Sequence, residues 1–398
     1  MSRRLEEAEE YAIDVILGGR KGAQASMLRT LLLGLSQLYK LGVQTRLWLF
    51  RKRLLRDHQL GCLVISIGNL TVGGTGKTPV VEKFARALQN GGRRVAILTR
   101  GYKSKPPPDT RTFWDRVLLK KPDREPRIVS DGKTVLLDSE YAGDEPYMLA
   151  KNLKDVLVIV DKNRVKSGLR AIKKYGADTL LLDDGLQYLH LKHRLDIVLV
   201  DCQAPFGNEF LLPRGTLREP PENLRRASYI FLTKSDGNNT ALIERIRRYN
   251  RRAEIIECAH QPLHLENLHS GEIVPLDFLK DKYVAALSGI ASPESFENGL
   301  RRLGAIVEVN KRFADHHRYT KEDLDSFLRR CIRRDVHAII TTEKDAVRFP
   351  AMNALEVPIF FLRVEIQILS GQETWEHCVR RICDPQHITP AEIRLQTV

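Results

Sequence analysis

The chain has 398 residues, of which 42% are hydrophobic and 29% charged, and a formal net charge of +14. That length allows two modest domains, and the composition fits a folded globular protein and excludes a disordered one. The positive balance points to an anionic partner (nucleic acid, a phosphorylated substrate or an anionic lipid surface) without choosing among them.

The first 20 residues are charged and lack the apolar core of a secretory signal. Residues 26–55, "SMLRTLLLGLSQLYKLGVQTRLWLFRKRLL", are rich in leucine but interrupted by Arg29, Lys40 and Arg46. No uncharged run reaches the roughly 18 to 20 residues that span a bilayer. The leucines spread around much of a helical circumference, and the basic "RKRLLR" ends the stretch. Two readings fit: a helix in the membrane interface whose basic groups meet anionic headgroups, and a helix packed on the protein's own core. Periodicity alone does not separate them.

From residue 62, short apolar runs alternate with helical patterns. The expected strands are 62–68, 94–100, 156–161, 179–184, 196–201 and 229–234, then 283–290, 305–310, 338–345 and 358–366. Near-continuous apolar runs mean strands covered on both faces, hence a parallel sheet with crossover helices. Residues 253–282 read as a two-strand connector with a Ser-Gly turn. The expected division is an N-terminal membrane-associating helical segment (1–57), a larger α/β domain (58–252), the connector (253–282) and a smaller α/β domain (283–398). The proline-rich, basic stretch 103–126 reads as a surface excursion without an assigned role.

The first strand leads into "GNLTVGGTGKTP" (68–79) and a helical pattern closed by glycines. Strand, Gly-rich turn and helix N-terminus is the context of a phosphate loop. The main-chain N–H groups of Gly73 to Thr78 would converge on phosphate oxygens. Lys77 would bring charge to the β- and γ-phosphates, and Thr78 a hydroxyl to Mg²⁺. The strict pattern wants glycine where Thr71 stands.

Several other motifs carry candidate chemistry. "LLLDDGLQ" ends a strand with Asp183 and Asp184, a second Mg²⁺ anchor or a helix-capping pair. Asp144 and Glu145 lie at a Gly turn before a helical pattern, and His316 and His317 follow an acid near a helix start. Capping is the plainer reading of Asp144 and Glu145, and a surface cap with two solvated histidines fits the second site as well as a chemical role does. Arg214, Arg218 and Glu219 fall in a turn-rich loop after the strand at 196–201. "LTKSD" (232–236) resembles a guanine-reading motif. The six cysteines show no zinc spacing and read as reduced core residues.

Taken in order, "GNLTVGGTGKTP", "RGY" (100–102), "GDEPYMLA" (143–150), "DKNR" (161–164), "LDDGLQ", "LDIVLVD", "LLPRGTLREP" (211–220), "FADHHRY" (313–319) and "TEKDAVRF" (342–349) resemble the tetraacyldisaccharide 4'-kinases of lipid A biosynthesis. The resemblance covers about residues 66 to 349, and it includes the non-glycine at position 71. It implies a P-loop NTPase-like parallel-sheet domain, a second and smaller α/β domain joined by a β-ribbon, and an N-terminal membrane-associating helix. It implies ATP and Mg²⁺ as cofactors and an acylated glucosamine disaccharide 1-phosphate as acceptor, at the cytoplasmic face of the bacterial inner membrane.

Carried over by motif, Thr71, Val72, Gly73, Gly74, Thr75, Gly76, Lys77 and Thr78 bind ATP. Thr78, Asp183, Asp184 and Glu219 attend the metal, and Asp144 with His316 forms the catalytic pair. Asn69, Arg100, Arg164, Gln187 and Arg218 contact substrate or phosphate. One departure is that Tyr188 stands where the family usually has His, with His190 nearby. The rival reading is a membrane-associated P-loop NTPase acting as a switch or transport motor, supported by "LTKSD". No recognition helix or aromatic platform favours nucleic acid, and no protein partner is indicated.

Overall fold

The computed structural model describes residues 11, 14–16, 18–102, 104–105, 124–350 and 356–384. The proline-rich excursion lies outside them except at its ends. Helix α1 (Ala23–Arg51) is followed by β1 (Leu63–Asn69), α2 (Lys77–Asn90), β2 (Val95–Thr99) and β3 (Arg127–Asp131). Then come α3 (Ser139–Ala142), α4 (Asp144–Asn152), β4 (Leu157–Val160), α5 (Arg164–Tyr175), β5 (Thr179–Asp183), β6 (Leu195–Asp201) and β7 (Tyr229–Thr233). The chain continues through α6 (Thr240–Tyr249), β8 (Glu254–Asn267), β9 (Ile273–Pro275), β10 (Tyr283–Ser288), α7 (Pro293–Arg302) and β11 (Ile306–Arg312). It closes with α8 (Lys321–Arg333), β12 (Ala338–Thr342), α9 (Glu343–Ala346), β13 (Ile359–Ser370) and α10 (Gln372–Cys383).

All these strands join one sheet in the order β11-β10-β12-β13-β8-β7-β6-β1-β5-β2-β4-β3, with β9 paired to β8. The strands from β8 to β4 run parallel, as do β11 to β13, and β13 meets β8 antiparallel. The expected parallel sheets are therefore present, fused through one antiparallel seam. The apolar runs supply the reason: strand interiors such as Leu180, Leu181 and Leu182 are fully buried, covered by helices on both faces.

Two features differ from the sequence reading. The connector does fold back on itself, β8 against β9, but the longer partner of β8 is β13, about a hundred residues on. β13 begins beside β12 in the second half and runs back along β8, delivering α10 to the first half. There Trp375 packs edge-on to Phe84 of α2 at 4.5 Å between ring centres. Helix α10 thus packs on the first half and not with the strands of the second. Strand β3, an antiparallel edge, was not among the expected strands.

Helix α1 packs one narrow stripe inward, with Ser36 and Leu47 buried. Its other side leaves Met27, Leu31, Leu35, Leu38 and Leu41 exposed, four of them by 60% or more where Leu35 shows 43%. No helix among the described residues is long and apolar enough to cross a membrane.

A buried charged seam ties α2 to the second half. Arg363 of β13 donates to Glu82 of α2 and, at 2.6 Å, to Glu343 of α9, while Asn152 of α4 donates to both carboxylates at 3.3 and 2.6 Å. Removing a shared cation from buried carboxylates costs about 3–5 kcal/mol. Arg363→Met should therefore lower unfolding free energy by roughly that much at pH 8. Burial already raises the pKa of Glu343. A proton taken up on acidification relieves an ionised, unpaired carboxylate, so the loss should shrink as pH falls toward 5. Denaturant midpoints at the two pH values measure it.

Candidate active site

The site forms at the carboxyl ends of β1 and β5, which pair with Ile67 opposite Asp183. This is the crevice where open parallel sheets bind ligands. After β1 the chain turns on Gly73 and Gly76, at φ 109° and 75°, which a Cβ would strain. A Cβ on Gly76 would also meet the His260 ring at 2.9 Å. Helix α2 then starts at Lys77 without a side-chain cap, leaving its first-turn N–H groups to an anion.

Thr71 needs no glycine freedom, for a geometric reason. The Leu70–Val72 stretch is extended and pairs with the 216–218 stretch: Arg218 N–H donates to Leu70 O, and Val72 N–H to Thr216 O, each at 2.7 Å. Thr71 and Leu217 form an antiparallel bridge. Asn69, at the end of β1, donates to Thr71 O at 2.8 Å and accepts from Lys77 Nζ at 3.1 Å.

The two adjacent acids have opposite surroundings. Asp184, in a left-handed conformation at φ 54°, accepts Arg218 in a forked pair at 2.7 and 2.8 Å, with Lys77 Nζ at 3.4 Å. Burial alone would raise its pKa, but Arg218 and Lys77 outweigh it and hold the carboxyl far below the usual range. Asp183 is fully buried. Thr99 donates to Oδ2 at 3.1 Å, while Oδ1 has no partner among the described residues. Burial, reinforced by the charge of Glu145, pushes its pKa up to about 6.

Gln187 donates to Asn69 O at 3.2 Å and to Glu219 at 2.9 Å. Glu219, expected among the metal-holding acids, is turned away from the loop. Its second oxygen is taken by Asn223 at 2.8 Å and Arg226 at 2.6 Å, which makes it a brace for Gln187. Arg164 is buried behind Asp183 and has no carboxylate partner among the described residues, and its guanidinium lies 4.9 Å over the Tyr188 ring. The Tyr188 hydroxyl accepts the Arg164 main-chain N–H at 3.0 Å. His190 does not stand in for the family's histidine; its ring packs on Phe50 of α1. Arg100 and the Val72 side chain are exposed.

"LTKSD" has a structural role here. Lys234 Nζ donates to Gly74 O at 3.2 Å and pairs with Asp201, Thr233 donates to Thr75 O at 2.9 Å, and Asp236 is exposed. The strand end props the phosphate loop from beneath.

Asp144, the first residue of α4, is buried and held by the second half. His316 Nδ1 lies 3.1 Å and Arg348 Nε 2.8 Å from Oδ2, and Arg318 lies 3.3 Å from Oδ1. Arg348, itself fully buried, is anchored by Asp345 at 3.1 Å and Gly289 O at 3.0 Å. Burial raises the pKa of Asp144, yet the His316 bond and the two guanidinium charges bring it below the ordinary value. Glu145 pairs with Lys344 at 2.7 Å and lies near enough to Lys77 to feel its charge, with His316 also close by, which joins the two clusters in one cleft. Sequence reasoning passed over Arg318 and Arg348, although both fall inside quoted motifs.

The residues present fit a magnesium-bound triphosphate. The uncapped helix start, the unpaired Oδ1 of Asp183 and the buried, unpartnered Thr75 hydroxyl converge on the loop. No three His, Cys, Asp or Glu side chains among the described residues gather into a metal-holding group. Magnesium commonly takes only one or two protein carboxylates and fills its shell with phosphate and water.

Residues 28–383 match the family model described as LpxK, Tetraacyldisaccharide-1-P 4'-kinase. The chain is 37% identical over 356 residues to the tetraacyldisaccharide 4'-kinase of Syntrophus aciditrophicus (strain SB), covering 86% of this chain and 90% of that one. It is 39% identical over 333 residues to that of Anaeromyxobacter dehalogenans (strain 2CP-C), covering 82% and 84%. The crystal structure of "apo" form LpxK from Aquifex aeolicus in complex with ATP is similar, with a TM-score of 0.70 and 30% identity over 90% of this chain and 100% of that one.

The raised pKa of Asp183 makes it a stability cost when ionised. Its folded pKa exceeds the unfolded one, so the penalty is absent below about pH 4 and complete above about pH 6. Asp183→Asn should raise unfolding free energy at pH 8 by up to about 3 kcal/mol. The gain should vanish by pH 4, as measured by denaturant unfolding without nucleotide or magnesium.

Proposed function

We propose that this chain, which belongs to the tetraacyldisaccharide 4'-kinase family, uses both halves on one sugar hydroxyl: the first holds ATP, and Asp144, held by the second, receives the proton. The reaction is ATP-dependent phosphorylation of the 4'-hydroxyl of tetraacyldisaccharide 1-phosphate in lipid A biosynthesis. One observation carries the catalytic assignment: a buried carboxylate bound by His316 and Arg348, one residue from Glu145, whose charge reaches Lys77 of the phosphate loop.

Magnesium, when bound, would screen the charge of the phosphate oxygens. Thr78 and Asp183 are its proposed protein ligands, with Asp184 holding Lys77 and Arg218 in place. Lys77, Arg218 and the first-turn N–H groups of α2 neutralise the transferred phosphoryl group, which is most of what phosphoryl transfer requires. Arg164 and Arg100 add charge from the β5 side.

His316 and Arg348 both engage Oδ2 of Asp144, so Oδ1, with Arg318 alone, is the oxygen for the sugar hydroxyl. Its depressed pKa keeps Asp144 ionised at neutral pH and makes it a weak base. A weak base suffices because the hydroxyl grows acidic only as its bond to phosphorus forms. The pair is already joined in this structure. The switch or motor reading leaves this buried pair without a task.

The acceptor is acylated, and the exposed leucine face of α1 with basic residues 51–53 at its end suits the headgroup layer of an anionic membrane. The proposed location is the cytoplasmic face of the bacterial inner membrane, where ATP and acceptor meet.

Incubation with ATP and tetraacyldisaccharide 1-phosphate should add one phosphate by mass spectrometry. Asp144→Ala and His316→Ala should each lower kcat by roughly 10²-fold or more. The double variant should be little worse than the poorer single, as expected of one catalytic unit. Near-normal kcat in either single would return that residue to capping.

Replacing Leu31, Leu35 and Leu38 together with Ser should abolish flotation with anionic liposomes and leave the fold intact, since all three are exposed. Turnover of detergent-dispersed acceptor should persist. Unchanged flotation at both low and high salt would remove the membrane assignment.

A further inference from the structure

The inward stripe of α1 carries two polar side chains where a helix attached only by burial would carry apolar ones. We propose that Ser36 and Tyr39 are positioning residues for phosphoryl transfer: they fix the 211–218 loop against α1, and the loop in turn sets the phosphate loop and the Arg218 guanidinium.

Each bond of that chain is present. The buried Ser36 hydroxyl donates to Leu211 O at 2.7 Å and accepts the Arg214 N–H at 3.2 Å, so its capacity is used in both directions. One turn on, the Tyr39 hydroxyl donates to Arg218 O at 3.1 Å. Its ring packs against the cluster that includes Leu211 and Leu217. Burial, with the Glu219 carboxylate near, raises the phenol's pKa and keeps it a donor. The same loop grips the phosphate loop through the Val72–Thr216 and Leu70–Arg218 main-chain bonds. Arg218 ends on Asp184, which holds Lys77.

The 211–218 loop is thus clamped between a helix and the nucleotide site, and α1 reaches it through side-chain hydroxyls on main-chain groups. A shift of about 1 Å at a reacting group is enough to cost rate heavily. Removing either hydroxyl frees the segment that carries Arg218 while leaving the packed shape of α1 nearly unchanged. The inference rests on ATP using the phosphate loop and Arg218; it does not need the membrane assignment.

Full-length Ser36→Ala, Tyr39→Phe and Ser36→Thr are assayed with ATP and tetraacyldisaccharide 1-phosphate in detergent micelles, which takes membrane docking out of the measurement. Ser36→Ala and Tyr39→Phe should each lower kcat/KM for ATP roughly fivefold, the scale of one net hydrogen bond. The KM for ATP should rise while that for the acceptor and liposome flotation stay as in wild type, and Ser36→Thr should restore activity. A merely structural role would reduce the active fraction and leave the KM for ATP unchanged, which overturns the proposal, as does unchanged kcat/KM in both variants. Wild-type turnover in the same assay, lost in Lys77→Ala, separates failure here from failure of the kinase reading.

Discussion

A buried carboxylate must be compensated, and Asp144 sets that requirement for the whole cleft. Removing an anion from water costs several kcal/mol unless charges and hydrogen bonds replace the hydration. Neither the two guanidinium groups nor the His316 imidazole that meet Asp144 come from its own half. Arg348 would itself be an uncompensated buried charge, so it is held by Asp345, and Asp345 accepts from Tyr319 at 2.9 Å, Thr342 at 2.6 Å and the Gly289 N–H at 3.0 Å. Much of the polar interior of the second half thus serves to solvate one oxygen pair of the first. The seam at Arg363 works the same way from the other side, since Glu82 belongs to the helix that begins with Lys77. The halves share charge as well as a sheet, and this fixes the distance from phosphate loop to Asp144.

The phosphate loop is similarly over-determined. Its first segment is a short strand paired with the 216–218 stretch, its middle rests on Lys234 and Thr233, and its end abuts His260. Pairing explains the threonine at position 71: an extended residue in a bridge gains from a β-branched side chain and has no use for positive φ. Glycine is kept at 73 and 76, where the turn demands it. The cations Lys77 and Arg218 rest on Asp184, so the nucleotide meets a site with its charges already arranged.

What the sequence made legible was chemistry written in consecutive residues. Strand, turn and helix around Lys77 fall within about thirty positions, and the strand ending in Asp183 and Asp184 announces itself by its leucines. What it could not show depends on distant pairing or side-chain direction. Arg348 closes the "TEKDAVRF" motif, and nothing in that pattern shows that β12 and α9 carry it under Asp144. Glu219 sits beside Arg218, yet one faces the loop and the other faces Arg226. The β8–β13 pairing joins segments whose patterns hold no record of each other, and so α10 was placed in the wrong half. For α1, the leucines pointed both ways because periodicity gives a stripe without naming its neighbour; Ser36 and Tyr39, the least apolar members, mark the protein-facing side.

Asp183 and Asp184 show how neighbouring residues of one type divide their roles. Asp183 is the last residue of β5, and the left-handed turn at Asp184 sends the two side chains to different environments. Asp184 meets two cations and is held ionised, while Asp183 meets burial and a nearby anion, and one of its oxygens has no donor. Pairs whose surroundings drive their proton affinities apart are the pairs that perform different tasks. The acid already neutralised by the protein's own cations gains little from another. The acid left under-compensated gains most from a divalent ion, which is why Asp183, although the more deeply buried, is the metal ligand proposed. The strain of Asp184 at positive φ belongs to the same arrangement, because that backbone turn aims consecutive carboxylates at different targets.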